Sequence, residues 1–336
     1  MIDVNDLDIV DSKKMYKIYD QWPEISQNAF QTNLKPIDAS NINNIIFAGM
    51  GGSGAIGDVF SSIFSKTNLH ISVIKGYVLP NTIDKNSLIV ITSVSGNTDE
   101  ALSILKKSKK IGCKIVAFSS GGKIEEYSIK NKIEYRKIEQ IHSPRASFTN
   151  YLYGILKVLK PVLPINEIDI LDSIKQLKNT KKIISSENMN KQNIALELAY
   201  GIKGIPMIYY PFGLMAAAIR FKNSLQENAK QHAMTEDILE ACHNGIISWE
   251  KSTSVQPMLI EGKDDYIKTK ERWDIIKDYF EINEIKFNEI VSIEGNILSK
   301  LINLIYVLDY TSIYYSILRK TDPSPTKSID FIKSKL

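Results

Sequence analysis

Short apolar runs alternate with amphipathic stretches of helical length along the first half of the chain. Five runs are typical of strands buried on both faces: 44–49, 71–76, 88–93, 114–120 and 132–138. Between them, stretches 54–64 and 98–112 carry apolar residues at helical spacing, and the lysines of the second lie on its opposite face. Near-continuous apolar strands separated by helices predict a doubly wound parallel sheet and an α/β fold.

The pattern is interrupted by a proline-containing link at 160–166 and then begins again. A helix at 150–159 precedes the link. Further helices are predicted at 166–178, 189–202, 213–228, 267–280 and 296–319, and strands at 205–210, 255–262 and 284–290. A length of 336 residues, at about 150 residues per domain, favours two domains. We therefore predict one domain at 1–160, with an N-terminal helical segment, and a second at 161–336.

Composition narrows the class of protein mainly by exclusion. The chain is 43% apolar and 24% charged, and its net charge of +4 is spread along it without the basic stripe of a nucleic-acid binder. Its two cysteines, Cys113 and Cys242, form no CxxC pair, which argues against a disulfide framework or a structural zinc site. The N-terminus does not resemble a signal peptide, and no run approaches about 18 apolar residues. These features predict a cytoplasmic protein with no membrane or nucleic-acid partner and suit a small anionic substrate.

The sequence "GMGGSGAIGD", residues 49–58, directly follows the first predicted strand. A strand, a glycine-rich turn and a helix form an anion-binding element, because backbone N–H groups at the helix start point towards the ligand. Gly49, Gly51 and Gly54 match the GxGxxG pattern of dinucleotide-binding proteins. However, the next strand ends without the acidic residue that this class requires, and no Walker GK[ST] sequence is present. A dinucleotide is therefore disfavoured as the anion.

A second loop of this type follows the strand at 88–93. In "SVSGNT", three hydroxyl groups surround a turn made tight by Gly96 and Asn97; they belong to Ser93, Ser95 and Thr98. Hydroxyl groups together with N-terminal N–H groups form a suitable seat for a phosphate monoester. The alternative interpretation, strongest for Thr98 alone, is an ordinary helix N-cap.

The paired GMGGSG and SxSGNT loops resemble those of sugar isomerase (SIS) domains. Over nearly its whole length, the chain resembles the bifunctional phosphoglucose/phosphomannose isomerases of archaea and some bacteria. The additional shared motifs are "SPRASF" (143–148), "RFKNSLQENAK" (220–230), "CHNGIISWE" (242–250) and "DPSPTKSIDFIKSKL" (322–336). The resemblance implies two doubly wound parallel-sheet SIS domains in tandem, assembled as a homodimer whose sites are shared between subunits.

The resemblance also implies the reaction. Glucose 6-phosphate and mannose 6-phosphate would be converted reversibly into fructose 6-phosphate through a cis-enediolate, with neither a metal nor an organic cofactor. The small-molecule sugar phosphate would be held through its phosphate group by Gly52, Ser53, Ser93, Ser95 and Thr98.

Five further residues receive roles from the resemblance. Glu227 would be the catalytic base. Arg145 would bind substrate and enediolate, His243 would open the sugar ring in the partner's site, and Lys333 would be the second ring-opening group. The small Thr326 would leave room for both C2 epimers. Taken without the resemblance, Glu227 is a solvated glutamate at a helix end, Arg145 is part of a surface salt bridge, and each tail lysine is exposed to solvent.

The remaining histidines and the other two tail lysines are not assigned catalytic roles. Of the other histidines, His142 lies next to Arg145 as a supporting or surface group, and His70 and His232 have no assigned role. Lys327 and Lys335 are alternatives to Lys333 in the tail. Two other functions stay open from the sequence: a phosphosugar sensor without catalysis, and an isomerase specific for one aldose phosphate.

Overall fold

The computed structural model describes residues 2–40 and 42–335, and the contacts within the chain define two compact units. The contiguous unit contains Gln21–Lys175, and the split unit contains Met1–Asp20 and Gln176–Leu336. The units differ from the predicted domains, 1–160 and 161–336, in two places. The first 20 residues belong with the C-terminal half of the chain, and the second division falls after Lys175.

The elements closely follow the predicted alternation of strands and helices. The strands are β1 Asn44–Ala48, β2 His70–Ile74, β3 Ser87–Thr92, β4 Lys114–Ser119, β5 Glu134–Lys137, β6 Ile205–Tyr210, β7 Met234–Asp237, β8 Val255–Glu261 and β9 Asn288–Val291. The α-helices are α1 Val4–Val10, α2 Met15–Asp20, α3 Trp22–Gln31, α4 Gly51–Phe64, α5 Asp99–Ile111, α6 Gly122–Lys130, α7 Phe148–Leu159, α8 Glu167–Ile184, α9 Ile194–Gly201, α10 Met215–Ala229, α11 Ile238–Ala241, α12 Ile267–Ile282, α13 Ile297–Leu318 and α14 Lys327–Lys333.

The sheet of the contiguous unit has the order β2-β1-β3-β4-β5 and is parallel throughout. Its central strand β3 is buried along its whole length, as expected for a strand covered by helices on both faces. Strands β1 and β3 are neighbours, but the chain leaves β1 to form β2 on the other side. This order places a topological switch point at their carboxyl ends, where ligands bind in sheets of this type.

The split unit contains a second parallel sheet in the order β7-β6-β8-β9. Its longest helix, α13, is buried at nearly every position. By length and composition α13 is long and apolar enough to cross a membrane, so the prediction that no segment approaches this limit is wrong. The burial of α13 is that of a core helix in a globular unit.

Three local elements differ from the sequence prediction. Helix α4 begins at Gly51 rather than residue 54, because the glycine motif itself forms the first helical turn. Helix α6 was not predicted, since it begins on two glycines that the pattern assigns to a turn. Strand β7 was also missed, since it has four residues and none of them is fully buried.

A buried ion pair joins α10 to α13 within the split unit. The Arg220 guanidinium donates to Asp309 Oδ2 from Nε at 3.0 Å and from Nη2 at 2.6 Å, and Ser224 Oγ donates to Asp309 Oδ1 at 2.6 Å. One turn further along α10, Asn228 Nδ2 donates to Ser312 Oγ at 2.8 Å. The three α10 residues are spaced by four and therefore lie on one face. These bonds determine which face of α10 is directed away from α13.

The N-terminal helices are also attached to α13. Tyr306 OH donates to the carbonyl of Tyr19 at 2.7 Å, and Tyr310 OH donates to that of Tyr16 at 3.2 Å. Asp20 accepts hydrogen bonds from the backbone N and Oγ of Ser186, at 3.0 and 2.6 Å. Buried aromatic surface and these polar contacts explain why the first 20 residues belong to the split unit.

The buried pair leads to a stability prediction. Asp309→Asn leaves the Arg220 charge without its counter-charge in a site where the two side chains are only 4% and 0% exposed. We expect a loss of about 3–5 kcal/mol in the free energy of unfolding, measured by urea denaturation with tryptophan fluorescence. The double variant Arg220→Met/Asp309→Asn is expected to recover part of this loss, because no buried charge remains. If Asp309→Asn is as stable as the wild type, Arg220 and Asp309 do not form a buried ion pair that depends on both charges.

Candidate active site

The two predicted phosphate loops meet at the switch point of the contiguous unit. Helices α4 and α5 begin directly after the neighbouring strands β1 and β3, so their N-termini lie at one edge of the sheet. The loops are joined by a hydrogen bond from Val94 N to Ser53 Oγ, 3.3 Å long. Ser53 and Val94 are both buried. Two sets of helix N-terminal N–H groups thus converge on one place, which is the arrangement that favours an anion.

The hydroxyl groups of the second loop have different surroundings. Ser93 is buried, and its Oγ lies 2.9 Å from Thr98 Oγ1. Thr98 occupies the N-cap position of α5, yet among the described residues its side chain forms no cap hydrogen bond. Ser95 is exposed and accepts a hydrogen bond from Asn97 N at 3.3 Å. Thr98 therefore has the backbone position of an N-cap residue, but its hydroxyl group is hydrogen-bonded to that of Ser93 instead of capping the helix.

The shape of the second loop depends on Gly96. Its φ is +70°, and a Cβ atom there would lie 1.7 Å from the carbonyl oxygen of Gly121. The first turn of α6 also holds this loop, through hydrogen bonds from Ile124 N to Gly96 O at 3.0 Å and from Lys123 N to Asn97 Oδ1 at 3.1 Å. Only glycine permits both the backbone conformation and this close approach.

The segment containing Arg145 packs against the first loop. A Cβ atom on Gly52 would lie 3.3 Å from the Pro144 carbonyl oxygen and 3.5 Å from Arg145 Cα. Arg145 is 6% exposed, and the next residue is held by a 3.0 Å hydrogen bond from Trp22 Nε1 to Ala146 O. The structure therefore brings Arg145 together with the phosphate loops inside the contiguous unit.

A cation that the sequence pattern did not indicate lies beside these loops. Lys75 directly follows β2, and its Nζ lies 2.6 Å from Oδ2 of the buried Asp58 on α4. Burial raises the pKa of the Asp58 carboxyl, while the Lys75 ammonium opposes this shift. A Cβ atom on Gly54 would lie 3.1 Å from Lys75 Cε, so the lysine stem covers the first turn of α4. A charged residue at the carboxyl end of an apolar strand is the signal that would have indicated it.

The proposed base and the ring-opening histidine lie in the split unit. Glu227 is in the last turn of α10 and is partly buried. His243 follows α11 in a turn closed by a 2.9 Å hydrogen bond from its backbone N to Glu240 O, and its side chain is exposed.

The tail residues also lie in the split unit. Thr326 is the N-cap of α14, and Lys333 is its last residue. A separation of seven residues is about two helical turns, so both lie on one side of α14. Lys327, Lys333 and Lys335 are all exposed, and Lys335 Nζ lies 5.8 Å from the ring centroid of Phe331.

An unusual carboxyl group lies beside the turn that contains His243. A Cβ atom on Gly245 would lie 2.3 Å from Oε2 of Glu236 on β7, so a larger residue at 245 would have to displace the Glu236 carboxyl group. Among the described residues this buried oxygen has no hydrogen-bond partner. Burial, and secondarily the charges of Glu240 and Asp237, raise the pKa of the Glu236 carboxyl. The Glu236 carboxyl group therefore stays protonated to a higher pH than an ordinary glutamate does.

Comparisons with known proteins agree with this geometry. Residues 40–147 match the family model of the SIS domain, and residues 191–336 match that of the bacterial phospho-glucose isomerase C-terminal SIS domain. Two parallel sheets with hydroxyl-rich loops at a switch point, together with these matches, define a tandem SIS-domain protein. Over 340 residues the chain is 30% identical to the bifunctional phosphoglucose/phosphomannose isomerase of Caldicellulosiruptor bescii, covering 96% of this chain and 98% of the relative. The chain therefore belongs to the bifunctional phosphoglucose/phosphomannose isomerase family and is an enzyme of the isomerase class.

A second relative supports the family, and a solved structure supports the fold. The protein of the same name from Aquifex aeolicus is 28% identical over 331 residues, covering 96% of this chain and 98% of the relative. The C-terminal domain of glucosamine-fructose-6-phosphate aminotransferase from Francisella tularensis matches the fold with a TM-score of 0.69 at 18% identity, covering 92% of this chain and 97% of that one. The predicted family and the predicted α/β fold with parallel sheets are confirmed, while the roles of individual residues stay predictions.

The Glu236 carboxyl leads to a pH prediction. Folding raises the pKa of the Glu236 carboxyl above its ordinary value of 4.5. The protonated carboxyl therefore contributes its full stabilisation below pH 4.5. This contribution is lost as the pH rises through the pKa of the folded protein. Glu236→Gln does not ionise, so its melting temperature relative to wild type is expected to increase from about pH 4.5 to about pH 8. The measurement is thermal denaturation across this range.

A variant with a pKa shift of the opposite sign provides the control. The Lys300 ammonium lowers the pKa of the Asp264 carboxyl, so Asp264→Asn is expected to be less stable than wild type at neutral pH. That deficit disappears when the carboxyl is protonated in acid. A difference between Glu236→Gln and wild type that does not change with pH would refute the Glu236 prediction.

Proposed function

We propose that the protein interconverts glucose 6-phosphate and mannose 6-phosphate with fructose 6-phosphate; its relatives are named bifunctional phosphoglucose/phosphomannose isomerases. The observation that carries this proposal is the pair of hydroxyl-rich loops, joined by the Val94–Ser53 hydrogen bond at the switch point. These loops suit a phosphate monoester, and Arg145 packs beside them in the same unit. The protein acts in the cytoplasm and needs neither a metal nor an organic cofactor for this chemistry.

The phosphate group of the sugar is held by the two loops. Backbone N–H groups at the starts of α4 and α5 donate to its oxygens, together with the hydroxyls of Ser53, Ser93, Ser95 and Thr98. Gly52 provides its N–H where a Cβ atom would be in tight contact with the Pro144 carbonyl oxygen. Lys75, held beside the first turn of α4 by Asp58, adds positive charge without a direct role in the chemistry.

The chemical step is a proton transfer between neighbouring carbons. Glu227 removes the C2 proton of the open-chain aldose, a cis-enediolate forms, and the same carboxyl returns the proton to C1. The Arg145 guanidinium stabilises the enediolate oxygens. Glucose and mannose 6-phosphates differ only at C2, so both pass through one enediolate, and the small side chain of Thr326 leaves room for both.

Ring opening requires an acid and a base at the ring oxygen and the anomeric hydroxyl. His243 and Lys333 perform this step. The exposed position of His243 supports a homodimer in which this histidine serves the partner subunit's site. Lys333 is favoured over Lys327 and Lys335 because it shares one side of α14 with Thr326.

Replacement of the base separates an isomerase from a sensor. Glu227→Gln keeps the size of the side chain but accepts no proton at neutral pH. We expect kcat to fall by about 10²–10⁴ with little change in substrate affinity, because no phosphate contact is lost. Wild-type protein in heavy water is expected to place deuterium at C2 of the aldose formed from fructose 6-phosphate, and the variant to do so very slowly.

A matched control is Glu281→Gln, an exposed glutamate in the last turn of α12, which should leave both rates unchanged. Wild-type rates in Glu227→Gln would remove Glu227 as the base. Wild-type protein that binds sugar phosphates but exchanges no deuterium would instead be a sensor. Activity on only one aldose phosphate would make the enzyme specific for that substrate.

Mixed dimers test whether His243 acts in the partner's site. Glu227→Ala and His243→Ala chains should each be inactive alone. In a symmetric dimer with shared sites, statistical mixing should restore about a quarter of wild-type activity, because half of the dimers are mixed and each contains one intact site. The measurement is isomerase activity after subunit exchange, which is verified by mass spectrometry.

The control is a mixture of Glu227→Ala with the double variant Glu227→Ala/His243→Ala. No site in this mixture contains an intact Glu227, so no activity should appear. If verified mixed dimers of the two single variants remain inactive, each site is completed within one chain.

A further inference from the structure

Helix α10, which carries the proposed base, ends on a lysine in a left-handed conformation. Lys230 has φ 53° and ψ 35°, and its N–H donates to the carbonyl of Leu225. The next amide, Gln231 N, donates to the same carbonyl at 3.1 Å. Glycine is the usual residue at this position of a helix end, because a side chain makes the left-handed conformation unfavourable.

The Lys230 ammonium connects two separate segments of the split unit. Its Nζ donates to the carbonyl oxygens of Glu227 at 2.9 Å and Asn228 at 3.4 Å, both at the end of α10. It also donates to the carbonyl oxygens of Asp322 at 2.9 Å and Pro323 at 3.4 Å, in the segment leading to the tail. A cation is favoured here because the last carbonyls of a helix carry its negative dipole end.

The left-handed conformation alone does not distinguish Lys230. Lys14, Lys132 and Lys320 have similar values of φ, so this chain repeatedly uses lysine where glycine is common. Lys230 differs because its ammonium bonds to carbonyls of two segments that are far apart in the sequence.

Both segments lead to residues of the proposed mechanism. The helix segment contains Glu227 itself, and α10 is held on its other face by the Arg220–Asp309 pair. The tail segment is fixed by the buried Pro323, and Thr326 follows three residues later at the start of α14. Helix α14 has no buried residue of its own, so its position depends on the segment that precedes it.

We propose that Lys230 is a positioning residue that couples the base on α10 to the tail carrying Thr326 and Lys333. It touches no reacting atom. Its ammonium holds the carbonyl of Glu227 and the 322–323 backbone at a fixed separation, which determines where the base and α14 lie relative to each other. The functional part of this inference rests on the proposed isomerase activity, whereas the coupling of the two segments does not.

The test uses Lys230→Met, which removes the ammonium and keeps most of the stem, and Lys230→Gly, which removes it while relieving the backbone. We expect kcat to fall about 10–100-fold in both, since misplacement of catalytic groups by about 1 Å has effects of this size. KM for both aldose phosphates should stay within about threefold, because the phosphate loops are unaltered. Lys230→Arg, which keeps a charged donor, should restore most of kcat.

Hydrogen exchange tests the coupling independently of activity. In Lys230→Met and Lys230→Gly, backbone amides of 324–334 should exchange at least about tenfold faster than in wild type, reporting a loosened tail. Lys132→Met, at a left-handed lysine in the contiguous unit, should change neither kcat nor tail exchange.

The possible results separate the two proposals. Wild-type kcat and wild-type tail exchange in both ammonium-free variants would overturn the positioning role of Lys230. If the tail amides exchange faster but kcat is unchanged, Lys230 couples the two segments without affecting catalysis, and the catalytic part of the proposal is overturned. A wild-type protein without isomerase activity would refute the proposed function, and tail exchange would then still decide the coupling.

Discussion

The candidate anion site depends on backbone segments that approach each other more closely than side chains allow. At Gly96 a Cβ atom would lie 1.7 Å from the Gly121 carbonyl oxygen, and at Gly54 it would lie 2.8 Å from that of Gly49. The absence of these atoms brings peptide groups, rather than side chains, to the carboxyl edge of β1 and β3. A seat formed from peptide N–H groups is already oriented before the ligand arrives, so little ordering is required on binding. The glycines after β1 thus allow the close backbone approach on which the proposed phosphate seat depends.

The split unit uses a different means to position its groups. Helix α10 is held by buried polar bonds to α13 and by an ammonium at its end, rather than by close backbone contact. A helix fixed at several points along one face cannot rotate without breaking bonds whose partners would remain buried. Glu227 therefore has a defined direction although it lies in the last turn, where helices normally fray. Replacing a whole buried ion pair by apolar residues is often neutral for stability, whereas removing one partner is strongly destabilising.

Much of the fold could be predicted from the sequence because its strands are continuous apolar runs and its helices have clear periodicity. The buried strand β3 and the amphipathic helix α5 are examples. Strand β7, "MTED", gave no such signal, because its four residues pair with β6 without being fully buried. Local pattern also failed at α4, where glycines that normally interrupt a helix form its first turn. The loops were predictable as an anion site since the residue types needed for that chemistry lie close together in sequence.

Other features of the candidate site were not predictable, for a physical reason. Lys75 and Lys230 acquire their properties from partners that are distant in the sequence. Asp58 lies 17 residues from Lys75, and Asp322 lies 92 residues from Lys230. Only the folded chain shows that one lysine lies beside a carboxylate and the other joins two sets of carbonyls. A lysine in isolation is otherwise indistinguishable from a solvated surface residue.

The split unit imposes an order on folding during synthesis. Its first 20 residues leave the ribosome before the contiguous unit, but the helix that binds them, α13, lies near the other end of the chain. At about 5–20 residues per second, translation of the intervening residues takes on the order of 15–60 s. Tyr16 and Tyr19, fully buried in the finished protein, must remain without their partners for that time. The nascent chain therefore carries an exposed aromatic segment while its contiguous unit can already fold.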